Sequence, residues 1–138
     1  LQDWQQALPH YEAALASARE LSDLRSEGLL LGYLGQLQAR LGRFAEANSS
    51  IDAGERLLRQ VADRFSLGLL LCHRAEVEHL AGRLGSPSEA WLRAKAIELE
   101  LGAGPDSELG VAVGRVGALL AAAAAEGSAA PAAGPVSG

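Results

Sequence analysis

Cys72, Glu76 and His79 are the residues of this chain whose types and spacing come nearest to chemistry. They stand at i, i+4 and i+7, which places all three on one face if the segment is helical. A thiolate, a carboxylate and an imidazole are ligand types that zinc takes. A structural zinc site, however, needs four ligands and a catalytic one three plus water, at recognisable spacings. None of those spacings occurs, so the trio reads as a solvated or groove-lining helix face. His73 falls on a different face of the same segment and His10 lies far away beside Pro9, so both read as surface histidines.

Arg74 and Glu78 stand one helical turn apart within the stripe formed by Leu67, Leu70, Leu71, Ala75, Val77 and Ala81. Two readings are open. One is an exposed i,i+4 ion pair worth about 0.3 kcal/mol; the other is a charge pair buried between packed helix pairs that fixes how they stack. The Gly102-Ala103-Gly104-Pro105-Asp106 stretch follows a helical segment and carries no Lys-Ser/Thr pair, so it reads as a helix-to-helix connection and not a phosphate loop. No Gly-x-Ser-x-Gly nucleophile motif occurs. These residues point to no enzyme, no metal and no cofactor.

The elements that carry them repeat. Shifted by 40 residues, Trp4 falls on Phe44, Ala7 on Ala47, Tyr11 on Ile51, Asp23 on Asp63, Ser26 on Ser66 and Gly28 on Gly68. Leu29–Leu31 falls on Leu69–Leu71, and Gly42-Arg43 on Gly82-Arg83. A fixed period of this size marks stacked units, each too small to bury its apolar face alone. Function then belongs to a surface.

The chain has 138 residues, 49% of them hydrophobic but only 4% aromatic, so its core must be built from Leu and Ala, which suits closely spaced helices. A net charge of -5 offers no basic field for nucleic acid. The apolar runs Leu29–Leu31, Leu67–Cys72 and Ala121–Ala125 are too short for a membrane span, so no membrane is expected. The single cysteine forbids an internal disulfide framework and fits a reducing, cytoplasmic compartment. The sequence opens at Leu1 and contains no Met, which reads as a piece of a longer protein.

Helix punctuation predicts about six helical segments and no strand. The first spans 3–24, with Ala7, Tyr11, Ala14, Leu15, Ala18 and Leu21 at helical spacing and a bend or frayed turn at Pro9. The second spans 26–41 and stops at Gly42; the third spans 43–61; the fourth is capped by Asp63 or Ser66 and ends at Gly82. Ser86-Pro87-Ser88-Glu89 predicts a capping box opening a fifth helix that runs to Leu101 and Gly102. A sixth starts at Asp106 and carries Leu109, Val113, Val116 and Leu120 on one face. Residues 1–126 form one helical domain, and 127–138 read as a flexible Ala/Gly/Pro tail. The first helix has no partner before it, so its outer face is expected to be covered by an upstream helix.

The central unit reads Leu31-x2-Leu34-Gly35-x2-Gln38, then Gly42-Arg43-Phe44, then Ala47-x3-Ile51. This resembles the tetratricopeptide repeat in an extended variant of about 40 residues. The first unit supplies Trp4, Ala7 and Tyr11; the last supplies Leu71, Ala75, Gly82 and Ala90-x3-Ala94. Gln38 and Glu78 stand where the pattern has tyrosine, Arg74 where it has leucine, and no proline closes the unit at Arg59. The wider stretch looks like the C-terminal end of repeat arrays in large bacterial signalling proteins. Eleven of the 12 basic residues are arginine, with Lys95 the exception, which suits a high-GC bacterial source.

The resemblance implies a right-handed α-solenoid of antiparallel hairpins and a non-enzymatic protein-interaction role. In that family the first helix of each pair lines a concave groove. Carried onto this sequence, the groove is Leu29, Gly32, Gln36, Ala39 and Arg40 in one unit, with Leu69, Cys72, Glu76 and His79 in the next. The implied partner is a protein or peptide, or the upstream domains of the same parent chain. The alternative is a terminal cap of a longer solenoid, or a regulatory domain packed on an upstream kinase, cyclase or ATPase module.

Overall fold

The 40-residue period of the sequence resolves into two equal steps. In the computed structural model, which describes residues 3–83 and 88–129, four helices of 17 residues start 20 residues apart: α1 (Trp4–Glu20), α2 (Leu24–Arg40), α3 (Phe44–Gln60) and α4 (Arg64–Leu80). Then follow α5 (Glu89–Leu101) and α6 (Glu108–Ala129). The described residues are all helix and connection, with no strand.

Each of the first five helices ends the same way. The backbone turns left-handed at Ser22, Gly42, Ala62, Gly82 and Gly102. The next N–H then reaches back five residues to a free carbonyl: Asp23 to Ala18, Arg43 to Gln38, Asp63 to Leu58, Arg83 to Glu78 and Ala103 to Glu98. This is the Schellman closure, which satisfies carbonyls that the helix leaves unpaired. After the first three closures the next helix starts at once, whereas α5 and α6 begin only at Glu89 and Glu108. Asp3, Asp23 and Asp63 accept the backbone N–H of Gln6, Ser26 and Ser66. Arg43 supplies no side-chain cap to α3.

Several boundaries differ from expectation. Helix α1 stops at Glu20 instead of running to 24, because the backbone turns left-handed at Ser22, and Asp23 caps α2, which opens at Leu24 instead of 26. At α5 the capping residue is Ser88, whose hydroxyl accepts the Trp91 N–H, so Glu89 opens the helix instead of standing third in it. Ser86 and Pro87 lie outside the described residues. The α6 start falls at Glu108 because Ser107, not Asp106, accepts the Gly110 N–H. At the other end α6 continues to Ala129, three residues into the stretch read as tail, and residues 130–138 lie outside the described residues. Finally, α1 runs through Pro9, with its start fixed by the Asp3 cap.

Each helix packs on its successor, and α2, α4 and α6 also pack side by side. The backbones of α1, α3 and α5 lie against this row without approaching one another. That puts α4 at the centre, touched by α2, α3, α5 and α6. The main core gathers around it: Leu67, Leu70, Leu71 and Ala75 meet Ile51 and Leu58, Ala94 and Ile97, and Leu109 and Val116. A smaller cluster of Leu15, Leu31 and Leu34 fastens α1 to α2.

Glycine permits the closest crossing. A Cβ added at Gly35 would stand 2.7 Å from Ile51 and 3.1 Å from the Ala47 carbonyl, and one at Gly54 would stand 2.9 Å from the Gly28 carbonyl. Helices α2 and α3 therefore meet almost backbone to backbone. Polar links add to this between α3, α4 and α5. Arg74 binds Asp52 at 2.7 Å and Glu55 at 3.1 Å, and Arg93 binds Glu55 at 3.2 Å. Arg74 thus ties one helix pair to the next, but through α3 carboxylates and not through Glu78.

By length and composition one described helix could cross a membrane, the stretch Glu108–Gly127 of mean hydropathy 1.5. Reading continuous apolar runs alone overlooks it, because Val, Ala and Leu are spread between glycines. Its Leu109, Val113 and Val116 are buried in the core, and Trp91 Nε1 donates to the Val113 carbonyl at 2.9 Å.

Candidate functional site

The row α2, α4, α6 brings residues one repeat apart into contact. Gln36 and Glu76 occupy the same position in successive units, and the Gln36 amide donates to Glu76 Oε2. Tyr33 and His73 also share a position, with ring centroids 4.6 Å apart. Helices related by a repeat lie side by side in register, so equal positions meet.

Glu76 is the centre of this face. It is 1% exposed, and three side chains converge on it: Gln36 and Arg40 from α2, and Arg115 from α6. Arg40 stands 3.5 Å from Oε2, while Arg115 closes on Oε1 as an ion pair. A buried carboxylate is costly unless neutralised and hydrogen-bonded. Here Oε2 accepts from Gln36 and Arg40, while Oε1 faces Arg115 as an ion pair without a hydrogen bond among the described residues; the Arg40 and Arg115 side chains themselves reach solvent, at 31% and 52% exposed.

An aromatic wall continues the face toward α1. The Arg40 guanidinium lies 4.7 Å from the Trp4 ring centroid. Tyr11 stacks on Tyr33 with centroids 6.2 Å apart, and Tyr33 reaches toward Glu108. Asp3, Trp4, Ala7, Tyr11, Tyr33 and Gln36 together line an open cleft between α1 and α2. Burial, then the charge of Glu108, raises the Tyr33 hydroxyl above its ordinary value. His73, beneath Tyr33, is 7% exposed, and burial lowers its imidazole to about 4 against the opposing pull of Glu76. It is therefore a neutral interior histidine and not a surface one. Its Nδ1 has no hydrogen-bond partner among the described residues.

Of the residues assigned to a groove, Gln36, Arg40 and Glu76 are brought together here, with Glu76 as a buried anchor and not an exposed lining group. Ala39, Leu69 and Cys72 belong to the main core. Leu29 is half-buried and packs against that core. Gly32 is buried against the His73 ring. His79 is half-buried with its Nδ1 unpaired. The physical reason is enclosure: α4 is packed on four sides and α2 on three, by α1, α3 and α4, which leaves few of their faces free. Burial pushes the Cys72 thiol up to about 12, so it is a packed apolar group. Cys72, Glu76 and His79 do not assemble a cation site, and the described residues hold no group of three His, Cys, Asp or Glu placed to do so.

Trp4, Tyr11, Tyr33, Glu108 and Arg115 complete the face although motif reading did not assign them to it. Their signal was present: three of the chain's six aromatic residues are Trp4, Tyr11 and Tyr33, and Tyr33 precedes His73 by one repeat. No protein-family model, curated protein or solved structure matches the chain.

Proposed function

We propose that this chain is a non-enzymatic protein-interaction module, a right-handed solenoid of tetratricopeptide-like hairpins that binds a polypeptide segment along the face shared by α2, α4 and α6. The observation that carries this reading is the Glu76 centre. It locks side chains from α2 and α6 into one rigid surface while half-exposed Trp4, Tyr11 and Tyr33 stand beside it. Tyr, Trp and Arg are the residues that dominate binding energy at protein interfaces, because they offer large contact area with few rotatable bonds. The packing of each helix on its successor, together with the row of even-numbered helices, supports the hairpin stack. In this reading the module serves a larger bacterial signalling protein in the cytoplasm.

Peptide display against the immobilised chain tests it, with the selected peptides then titrated into isotope-labelled protein. Amide shifts clustered at Trp4, Tyr11, Tyr33, Gln36 and Arg40 are the expected result. Shifts confined to α3 and α5 mean that the reading is wrong.

A second reading, a regulatory domain packed on an upstream kinase, cyclase or ATPase module, draws on α6. Val111 is 55% exposed and the α6 residues Gly114, Ala118 and Ala121 are also exposed. A purely structural cap needs a polar outer face.

A further inference from the structure

We propose that copies of this chain associate head to tail, the exposed face of α6 in one copy seating on the partly uncovered face of α1 in the next. The repeat itself supplies the template. On α3, the positions Ala47, Ile51, Gly54 and Leu58 are buried beneath α2. One repeat earlier, on α1, the same positions are Ala7, Tyr11, Ala14 and Ala18. Only Ala18 among them is buried, Ala14 is exposed, and Leu21, which corresponds to the half-buried Val61, is 78% exposed. The face that α3 hides under α2 is therefore only partly covered on α1: Ala14 and Leu21 are exposed, while Ala7 and Tyr11 are half-buried along the edge of α2.

The other half of such an interface is present at the far end. Helix α2 meets α3 through Gly28, Leu31, Gly35 and Gln38, a spacing of three, four and three residues. Helix α6 exposes Val111, Gly114, Ala118 and Ala121 at the same spacing, away from Leu109, Val113 and Val116, which enter the core. Small side chains matter here because they allow the approach that Gly28 and Gly35 give α2. Carrying over the α2–α3 register sets Val111 beside Ala14 and Ala18, and Ala118 beside Ala7 and Tyr11. The joint continues a packing that the chain already makes within itself. Because the two faces differ, the association is heterologous and does not close as a two-fold dimer, so it can add further copies.

Sedimentation equilibrium on the full 138-residue chain reads this directly. The expected result is an average mass that climbs past the dimer between about 10 μM and about 1 mM, the range suited to a modest interface. Ala14→Glu and Ala118→Glu, both at exposed positions, should each remain monomeric. A one-to-one mixture of the two should form a dimer and nothing larger, because each variant keeps the face that the other lacks. A wild type that stays monomeric throughout overturns the proposal. So does a single variant that associates as wild type, which means pairing of like faces, or a mixture that stays monomeric. Should either glutamate variant lose its helical circular dichroism, Ala14→Cys and Val111→Cys, which the register sets side by side, replace them. Mixed and oxidised, these should crosslink to each other, while a predominance of homodimers overturns the proposal; buried Cys72 does not compete.

Discussion

Gln36 and Glu76, identical positions in successive units, are hydrogen-bonded to each other across the α2–α4 packing. The contact converts sequence periodicity into a link between neighbouring units. With Arg40 and Arg115 it makes Glu76 a buried charge through which α2, α4 and α6 are all joined.

Removal of that charge should be costly. Glu76→Ala leaves a void and unpairs two arginines, for an expected loss of about 3 kcal/mol, where a buried pair broken on one side costs 3–5. The partial exposure of both arginines keeps the effect at the lower end. In a double-mutant cycle with Gln36→Ala, the coupling should be about 1 kcal/mol or more. Urea denaturation provides the measurement, with exposed Arg56→Ala as control. Additive losses would show that Gln36 and Glu76 are merely neighbours.

Acid should weaken the fold through His73. Its ordinary value is 6.5 and its folded value about 4. Between these the unfolded chain binds the extra proton, so stability is full above pH 6.5 and falls as pH drops toward 4, by at most about 1.4 kcal/mol per pH unit. The charges facing the ring are Glu76, which favours protonation, and Arg115, which opposes it. Glu55 adds a limb at lower pH. Burial alone would raise its carboxyl, but hydrogen bonds from Arg93 and Arg59 and the Arg74 charge hold it below its ordinary value. Its contribution is present above the unfolded value and is lost as pH falls through the folded one. His73→Phe should flatten urea midpoints between pH 6.5 and 4 and leave the lower limb intact. Parallel curves for variant and wild type would assign the upper limb to another group.

Helix existence and the glycine-marked helix ends were legible in the sequence because each depends on local chemistry, whereas the α1–α2 junction, where the non-glycine Ser22 turns left-handed, was not. The Gly42, Gly82 and Gly102 stops and the Asp63 cap are read from single residues with fixed conformational roles. The buried state of Glu76 and His73 was not legible. Helical spacing tells which residues share a face, but whether that face meets water depends on how many helices surround it, and α4 has four. Arg74 shows the same limit. Its i,i+4 neighbour Glu78 was visible in sequence, whereas Asp52 and Glu55 become partners only when α3 packs alongside.

Two glycine replacements should act in opposite directions. At Gly35 a Cβ would stand 2.7 Å from Ile51 Cγ1 and 3.1 Å from the Ala47 carbonyl, so Gly35→Ala must push α2 and α3 apart, for a loss of about 1–3 kcal/mol. At Gly114, inside α6, a Cβ meets nothing within 4 Å. Gly114→Ala should therefore gain the helix-propensity difference, about 1 kcal/mol. Thermal melts of the two variants decide it. A shift of the same sign in both would count against close α2–α3 contact as the reason for Gly35.

Backbone conformation and packing make separable contributions at the helix ends. Ser22 and Ala62 hold φ of 55° and 57°, in the left-handed region that Gly42 and Gly82 occupy at 78° and 71°. A side chain at such a position costs about 1–2 kcal/mol from its Cβ against the following carbonyl. Glycine avoids that cost but loses more entropy on folding, so the net gain from Ala62→Gly or Ser22→Gly should be about 0.5–1 kcal/mol. The reverse changes, Gly42→Ala and Gly82→Ala, should lose a similar amount. Among the described residues nothing lies within 4 Å of a Cβ placed at either glycine, so packing against another described element does not account for that loss. Urea midpoints of all four variants should split into two gains and two losses. If Ala62→Gly destabilises the chain while Gly42→Ala leaves it unchanged, the left-handed closures are not what sets the helix ends, and the 20-residue step must be attributed to core packing instead.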